Sequence, residues 1–363
     1  MKTNSRGTCM LAAPMLGEMG GGVGQVSGLI WRTMQDEWGS AARVLTLLRN
    51  GHQAPALTDK WRFGIELAGR QFSEPPDWIL YSHLGLARVA KYLPGGMARP
   101  YAVFLHGIEC WDPLPPADRA ILSRATLRVA NSEYTARRAT AANPGLGAIS
   151  VCPLALPHSA AIDGAGRTSS TSSPTAIMVG RLSSTERYKG HEEIIRAWPE
   201  VVASSPGARL VIVGDGDDSA RLRGIAAGFS AANIEFTGFL SRGDLERRYR
   251  EASLFVLPSR GEGFGVVYLE AMAAGLACVG SVHDAAAEVI VDGETGVLVD
   301  PGDARGMAAT IASLLRDPER ARSMGRAGFA RIQDQFTYEH FRGRMSSLLR
   351  SAFDEAAADG RRH

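Results

Sequence analysis

The chain has 363 residues, 40 Lys+Arg against 38 Asp+Glu for a formal charge of +2, and 45% hydrophobic but only 7% aromatic residues. That length predicts two domains, each able to bury a core of its own. The composition excludes a disordered chain, a collagen-like repeat and a disulfide-stapled mini-protein, and no run reaches the roughly 18 uninterrupted apolar residues of a membrane-spanning helix.

At the N-terminus Lys2 and Arg6 precede the apolar run CMLAAPML, the outline of a signal peptide. The run leads into GEMGGGVGQV, so it is read instead as a first strand followed by a glycine turn. Further strands are predicted at ARVLTLL, DWILYS, YAVFLHG, LRVANS and AISVCPL, with helical segments between several of them. Residues 158–175, rich in Ser, Thr, Gly and Ala, read as a linker. After it five apolar runs alternate with helical segments: AIMVG and HEEIIRAWPEVV, RLVIVG and SARLRGIAAG, IEFTG and DLERRYREA, SLFVLP and FGVVYLEAMAAG, LACVG and DAAAEVI. Such alternation predicts an α/β chain with parallel sheets wrapped by helices, in which ligands bind beyond the carboxyl ends of the strands.

Charge and cysteine are read the same way. Residues 1–157 hold 16 Lys+Arg and 11 Asp+Glu, net +5, and the remainder is net −3. No block of like charge appears, so surface scatter accounts for this, while a mildly cationic half also suits an anionic acceptor or a lipid headgroup surface. Cys9, Cys110, Cys152 and Cys278 lie far apart without metal-ligand spacing and read as buried thiols of a cytoplasmic protein.

Four constellations could carry chemistry. In SLFVLPSRGEGFGVVYLEAMAAG a loop with Glu262 precedes a helix predicted to begin near Phe264. Glu270 is the sole charged residue of that helix and is expected to be enclosed by Val266, Val267, Ala273 and Ala274. A buried carboxylate needs partners, and this one leans back towards the anion-binding amides of Gly263, Phe264 and Gly265, where it could bind a vicinal diol. A structural alternative ties it to a neighbouring protein group. Secondly, Arg181, Arg187 and Lys189 precede the helix HEEIIRAW, where cations oppose the helix dipole unless an anion shares the site. The alternative is a solvated loop offset by Glu192 and Glu193. Thirdly, the glycine loops after the first strand and in VGDGDD lack the full dinucleotide fingerprint, which disfavours a nicotinamide enzyme. Gly21 and Gly22 could still let a phosphate approach backbone amides. Fourthly, His83 and His106 end strands, and no histidine has metal-ligand spacing.

Taken together these segments resemble the retaining nucleotide-sugar glycosyltransferases of family 4, with the GT-B fold. The signature Glu-x7-Glu is EGFGVVYLE, and VGRLSSTERYKGHEEII, LVIVGDGDD, IEFTGFL and AAEVIVDGETGVLVDPGD accompany it in family order. The polar VHDAAAEVI departs from the glycine pair common in the family. The resemblance implies two Rossmann-like domains whose parallel sheets face a central cleft. These are an N-terminal acceptor-side domain, residues 1–157 with a crossover helix about 337–363, and a nucleotide-sugar domain, residues 176–336. It implies that Glu270 holds the donor ribose and that Arg181 and Lys189 neutralise the diphosphate. Glu262 with Gly263, Phe264 and Gly265 would contact the sugar, Gly21 and Gly22 would lie by the diphosphate, and His106 would lie by the sugar hydroxyls. Expected function is transfer of a hexose, with a lean to mannose, from a GDP- or UDP-linked donor to a glycan or lipid-linked acceptor. No cofactor, essential metal or nucleic acid is expected. The expected location is cytoplasmic, with a peripheral contact to the inner membrane face considered. The alternatives are a nucleotide-sugar epimerase, another GT-B enzyme such as a phosphorylase, or a catalytically silent GT-B partner subunit.

Overall fold

The computed structural model describes residues 7–17, 21–48, 55–89, 99–156, 174–229 and 232–359. Lys2, Arg6, part of the first glycine turn and residues 158–173 of the predicted linker lie outside them. The strands, in chain order, are β1 (Cys9–Ala13), β2 (Ala42–Thr46), β3 (Trp78–Tyr81), β4 (Tyr101–Leu105), β5 (Leu127–Ala130), β6 (Ser150–Val151), β7 (Thr175–Val179), β8 (Arg209–Val213), β9 (Ile234–Gly238), β10 (Leu254–Val256), β11 (Ala277–Ser281) and β12 (Gly296–Val299). The α-helices are α1 (Gly21–Trp38), α2 (Leu57–Ser73), α3 (Leu84–Ala87), α4 (Pro116–Arg124), α5 (Glu133–Ala142), α6 (His191–Ser204), α7 (Ser219–Ala227), α8 (Arg242–Glu251), α9 (Val266–Ala273), α10 (Ala286–Val289), α11 (Ala304–Arg316), α12 (Pro318–Gln335) and α13 (Tyr338–Asp359).

The described residues form two compact units, one within Met1–Pro157 and Tyr338–His363, the other within His158–Thr337. Each has a parallel six-stranded sheet, ordered β2-β1-β3-β4-β5-β6 in the first and β12-β11-β10-β7-β8-β9 in the second. The α/β class read from the alternation is the class that forms. The strands were visible because parallel strands covered on both faces become continuous apolar runs: β1 reads CMLAA and every residue is buried. The sequence pairing of five strands with five helices missed β12, whose four residues GVLV follow a turn rather than a long apolar run.

Two features position the sites. In the first unit α13 packs on α1, where the Tyr338 hydroxyl donates to Asp36 Oδ2 at 2.6 Å and the Arg32 guanidinium lies 3.7 Å from the Tyr338 ring centroid. In the second unit β8 leaves its strand against the exit of β7. A Cβ on Gly214 would lie 1.9 Å from the Gly180 carbonyl oxygen, at a φ of +135° that side chains avoid. The VGDGDD glycines therefore serve strand packing.

Gly214→Ala is expected to destabilise the protein by roughly 3 kcal/mol, through strain and overlap with backbone that cannot yield. Gly224→Ala, in α7 with open space around it, is expected to stabilise by about 0.5–1 kcal/mol. Urea unfolding midpoints of the two variants check this pair.

Candidate active site

The second sheet reverses its winding between β7 and β10, which lie side by side with Ala176 opposite Leu254. In open parallel sheets the crevice beyond such a reversal is where ligands bind. The loop after β7 carries Arg181, a 3₁₀ turn Arg187–Lys189, and Gly190 before α6. The loop after β10 carries Glu262 and ends at Gly265, with α9 opening at Val266.

Gly190 lets the two loops meet: its φ is +83°, and a Cβ there would lie 2.3 Å from the Pro258 carbonyl oxygen. The Arg260 amide donates to the Tyr188 carbonyl at 2.8 Å. This docking sets Lys189 Nζ 2.6 Å from Glu262 Oε1, with both side chains half-buried. Arg181 donates to Glu186 Oε1 at 2.6 Å, and Glu186 Oε2 lies 3.9 Å from Lys189 Nζ. The anion that Lys189 required is thus a carboxylate of the protein itself. Burial alone would pull the ammonium pKa down; Glu262 beside it, helped by Tyr188 and Glu186, outweighs this and leaves it raised.

Glu186 was missed, although it stands three residues before Lys189, a spacing that brings side chains together in a helical turn. Two more groups were missed because tertiary packing brings them in. His191, the first residue of α6, is buried, and burial, then Lys189, lower its pKa to about 4 against the pull of Asp218. Asp284, in the polar VHDAAAEVI segment, accepts from the Glu262 amide at 3.1 Å and from the Ala286 amide at 2.9 Å. Burial raises it to about 7, the hydrogen bond from Ala286 opposing and the Glu262 charge adding. The departure from the family pattern is therefore a tie between the Glu262 loop and α10.

The expectation of an enclosed Glu270 is corrected. The residue is half-buried, because α9 has eight residues and leaves Val266, Val267 and Glu270 on its less covered face. The Tyr249 hydroxyl on α8 donates to Glu270 Oε2 at 3.2 Å. Burial, then the Glu270 charge, hold that phenol well above its ordinary pKa, so it stays a donor. The helix also starts later than predicted, so its N-terminus rests on Gly265 and Val266 rather than on Gly263 and Phe264. Phe264 is buried with its ring centroid 5.9 Å from that of Phe336, a core contact.

The remaining candidates belong to the first unit, whose sheet reverses between β1 and β3. Gly21 and Gly22 open α1, and a Cβ on either would meet nothing within 4 Å. Ser27 of α1 is hydrogen-bonded to Ser82 after β3 at 2.9 Å. His106 Nε2 lies 2.6 Å from the Ser82 carbonyl oxygen. A carbonyl only accepts, so Nε2 donates this bond. Its ring stacks on His83 at 5.7 Å between centroids, and His83 Nδ1 accepts from the Gly85 amide at 2.9 Å. Among the described residues no group of three or more His, Cys, Asp or Glu could hold a metal ion.

Residues 165–331 match the model of the glycosyl transferases group 1 family. This segment is a group 1 glycosyltransferase domain. It holds Arg181, Lys189, Glu262 and Glu270. Over 170 residues the chain is 34% identical to the GDP-mannose-dependent monoacylated alpha-(1-6)-phosphatidylinositol monomannoside mannosyltransferase of Corynebacterium glutamicum, covering 45% of this chain and 44% of that one. The chain spans about half the length of the curated relatives it matches. Sucrose-phosphate synthase from Thermosynechococcus elongatus superposes with a TM-score of 0.77 at 19% identity, over 96% of this chain and 100% of that one. Anabaena HepE, solved in complex with UDP-glucose, superposes with a TM-score of 0.72 at 18% identity, over 95% and 100%. These likenesses establish the fold, the GT-B class with two parallel α/β domains.

The pH dependence of the group 1 domain tests the buried surroundings of Glu262. Asp284 has its pKa raised from 3.8 to about 7, so its stabilising contribution is full below the unfolded value and is lost as pH rises to about 7. His191 has its pKa lowered from 6.5 to about 4, so its contribution is present above 6.5 and is lost as pH falls to about 4. The two oppose each other in between. Relative to wild type, Asp284→Asn is expected to make stability rise more steeply from acid to neutral pH, and His191→Gln to flatten or invert that rise. Thermal midpoints of the three proteins across this window provide the measurement.

Proposed function

We propose that the chain is a retaining hexosyltransferase that moves mannose from GDP-mannose to a lipid-linked or glycan acceptor at the cytoplasmic face of a membrane, using no metal or other cofactor. The observation that carries this reading is the pair of cations, Arg181 and Lys189, held by Glu186 and Glu262 at the strand reversal of the group 1 domain. Breaking an anomeric C–O bond at a nucleoside diphosphate places negative charge on the leaving phosphate. Cations already fixed by neighbouring carboxylates stabilise that charge without reorganising. Glu270, with Tyr249 bonded to one of its oxygens, is the group assigned to the ribose hydroxyls. Glu262 is committed to Lys189 and is not assigned as a nucleophile. Retention then follows from attack on the face of departure, with the donor phosphate helping to take the acceptor proton.

The mannose and lipid parts draw on the Corynebacterium glutamicum relative, whose name specifies GDP-mannose and a phosphatidylinositol monomannoside. No helix among the described residues is long and apolar enough to cross a membrane, and the membrane contact in this proposal is a peripheral one. The roles that the resemblance gives to His106, Gly21 and Gly22 remain part of this proposal.

In a thermal-shift panel of GDP, UDP and ADP, GDP is expected to stabilise most, by about 2.7 kcal/mol at 100 times its dissociation constant. Lys189→Ala is expected to lower turnover of GDP-mannose by about 100-fold or more while retaining a cooperative unfolding transition, and Glu270→Gln to weaken GDP binding. Wild-type turnover in the first variant and wild-type GDP affinity in the second would overturn the site.

A further inference from the structure

Helix α2 is amphipathic twice over. Phe63 and Leu67 are buried in the core of the first unit, with Gln71 beside them. On another face Leu57, Trp61, Ile65 and Phe72 are 73%, 72%, 68% and 78% exposed. At 3.6 residues per turn these four, with Ala68, fall in a sector of about 80°, along about 22 Å of helix. Scattered exposed apolar side chains are ordinary on a soluble protein, but a continuous stripe of large ones marks an interaction surface.

The charges around the stripe select the occupant. Asp59 accepts from the Ala56 amide at the start of its own helix, at 3.0 Å. Glu66 is held by Arg62 at 3.4 Å, and Arg62 also donates to the Leu47 carbonyl. These carboxylates are thus tied back to the protein, whereas Lys60 is exposed next to Trp61. Residues 1–157 as a whole carry 16 Lys+Arg against 11 Asp+Glu. A second copy would bring the same excess of positive charge to the contact and be repelled, while an anionic surface would be attracted. Large aliphatic and aromatic residues on one helix face, with basic charge beside them, suit a helix lying in the plane of a bilayer interface.

We infer that the exposed face of α2 is a membrane-docking surface that inserts Leu57, Trp61, Ile65 and Phe72 into the headgroup layer of an anionic bilayer. This deepens the membrane-facing part of the proposed function and rests on that part alone, not on the donor chemistry.

The test is co-sedimentation of the full chain with vesicles of phosphatidylcholine plus phosphatidylglycerol, and with vesicles of phosphatidylcholine alone. The wild type is expected to partition onto the first far more than onto the second, and added salt to weaken that partition. Trp61→Ser and Phe72→Ser are each expected to lower it by about tenfold. Both changes are on exposed side chains, so thermal midpoints and the GDP-induced shift should match wild type. Absence of vesicle binding by the wild type, or undiminished binding by the Trp61→Ser, Phe72→Ser double variant, overturns the inference. So does a dimer in sedimentation velocity that these substitutions abolish while vesicles bind nothing. Loss of the GDP shift with vesicle binding intact would instead remove the donor reading and leave this surface standing.

Discussion

The parallel pairing of β7 with β10, strands far apart in the chain, is the constraint on which the candidate active site depends. It places two loops side by side at the point where the sheet changes winding direction, and glycine at 190 and at 261 removes Cβ atoms that would meet Pro258 and Tyr188 of the facing loop. Lys189 and Glu262 then have no choice but to meet. A half-buried ion pair of this kind adds little net stability, because desolvation offsets most of the attraction. Its consequence is positional: the ammonium stays charged and is held at Glu262, with Glu186 between it and Arg181.

The same pairing explains the ring of groups behind the pair. Asp284 fastens the Glu262 backbone to α10, and His191 is driven to its neutral form by burial next to Lys189. The charged front of the site is thus backed by groups whose own charges are suppressed. Glu270 differs in kind, since α9 is short and leaves the residue half-buried with a tyrosine donor.

The first unit places hydroxyl and imidazole groups at its own strand reversal. Ser27, Ser82, His83 and His106 are linked through hydroxyl, carbonyl and ring contacts. Its net positive charge is spread over the unit, and among the described residues a continuous exposed apolar face lies on α2. A cationic unit with an apolar helix face suits the membrane docking inferred for it, whereas Arg181 and Lys189 of the second unit stand together around Glu186 at its strand reversal.

Much of this architecture was legible in the residues. Strands covered on both faces must be apolar throughout, so β1, β4, β7, β8 and β10 announce themselves, and Arg181, Lys189, Glu262 and Glu270 fall next to such runs. Local reading also had access to Glu186 through its spacing from Lys189, and passed over it as loop. What the residues could not reveal is which groups meet. The Lys189–Glu262 pair, the Asp284 tie and the Tyr249–Glu270 bond each join elements that only the strand order makes adjacent. The length of α9, and with it the exposure of Glu270, likewise depended on packing. For α2, periodicity marks two apolar faces, but burial of Phe63 rather than Trp61 is decided by the sheet beneath. The sequence by itself determined the class of fold and the kinds of charge at the strand ends, because those follow from local burial. The tertiary structure alone decided partners and exposure, because these depend on contacts between segments whose separation along the chain carries no memory of their distance in space.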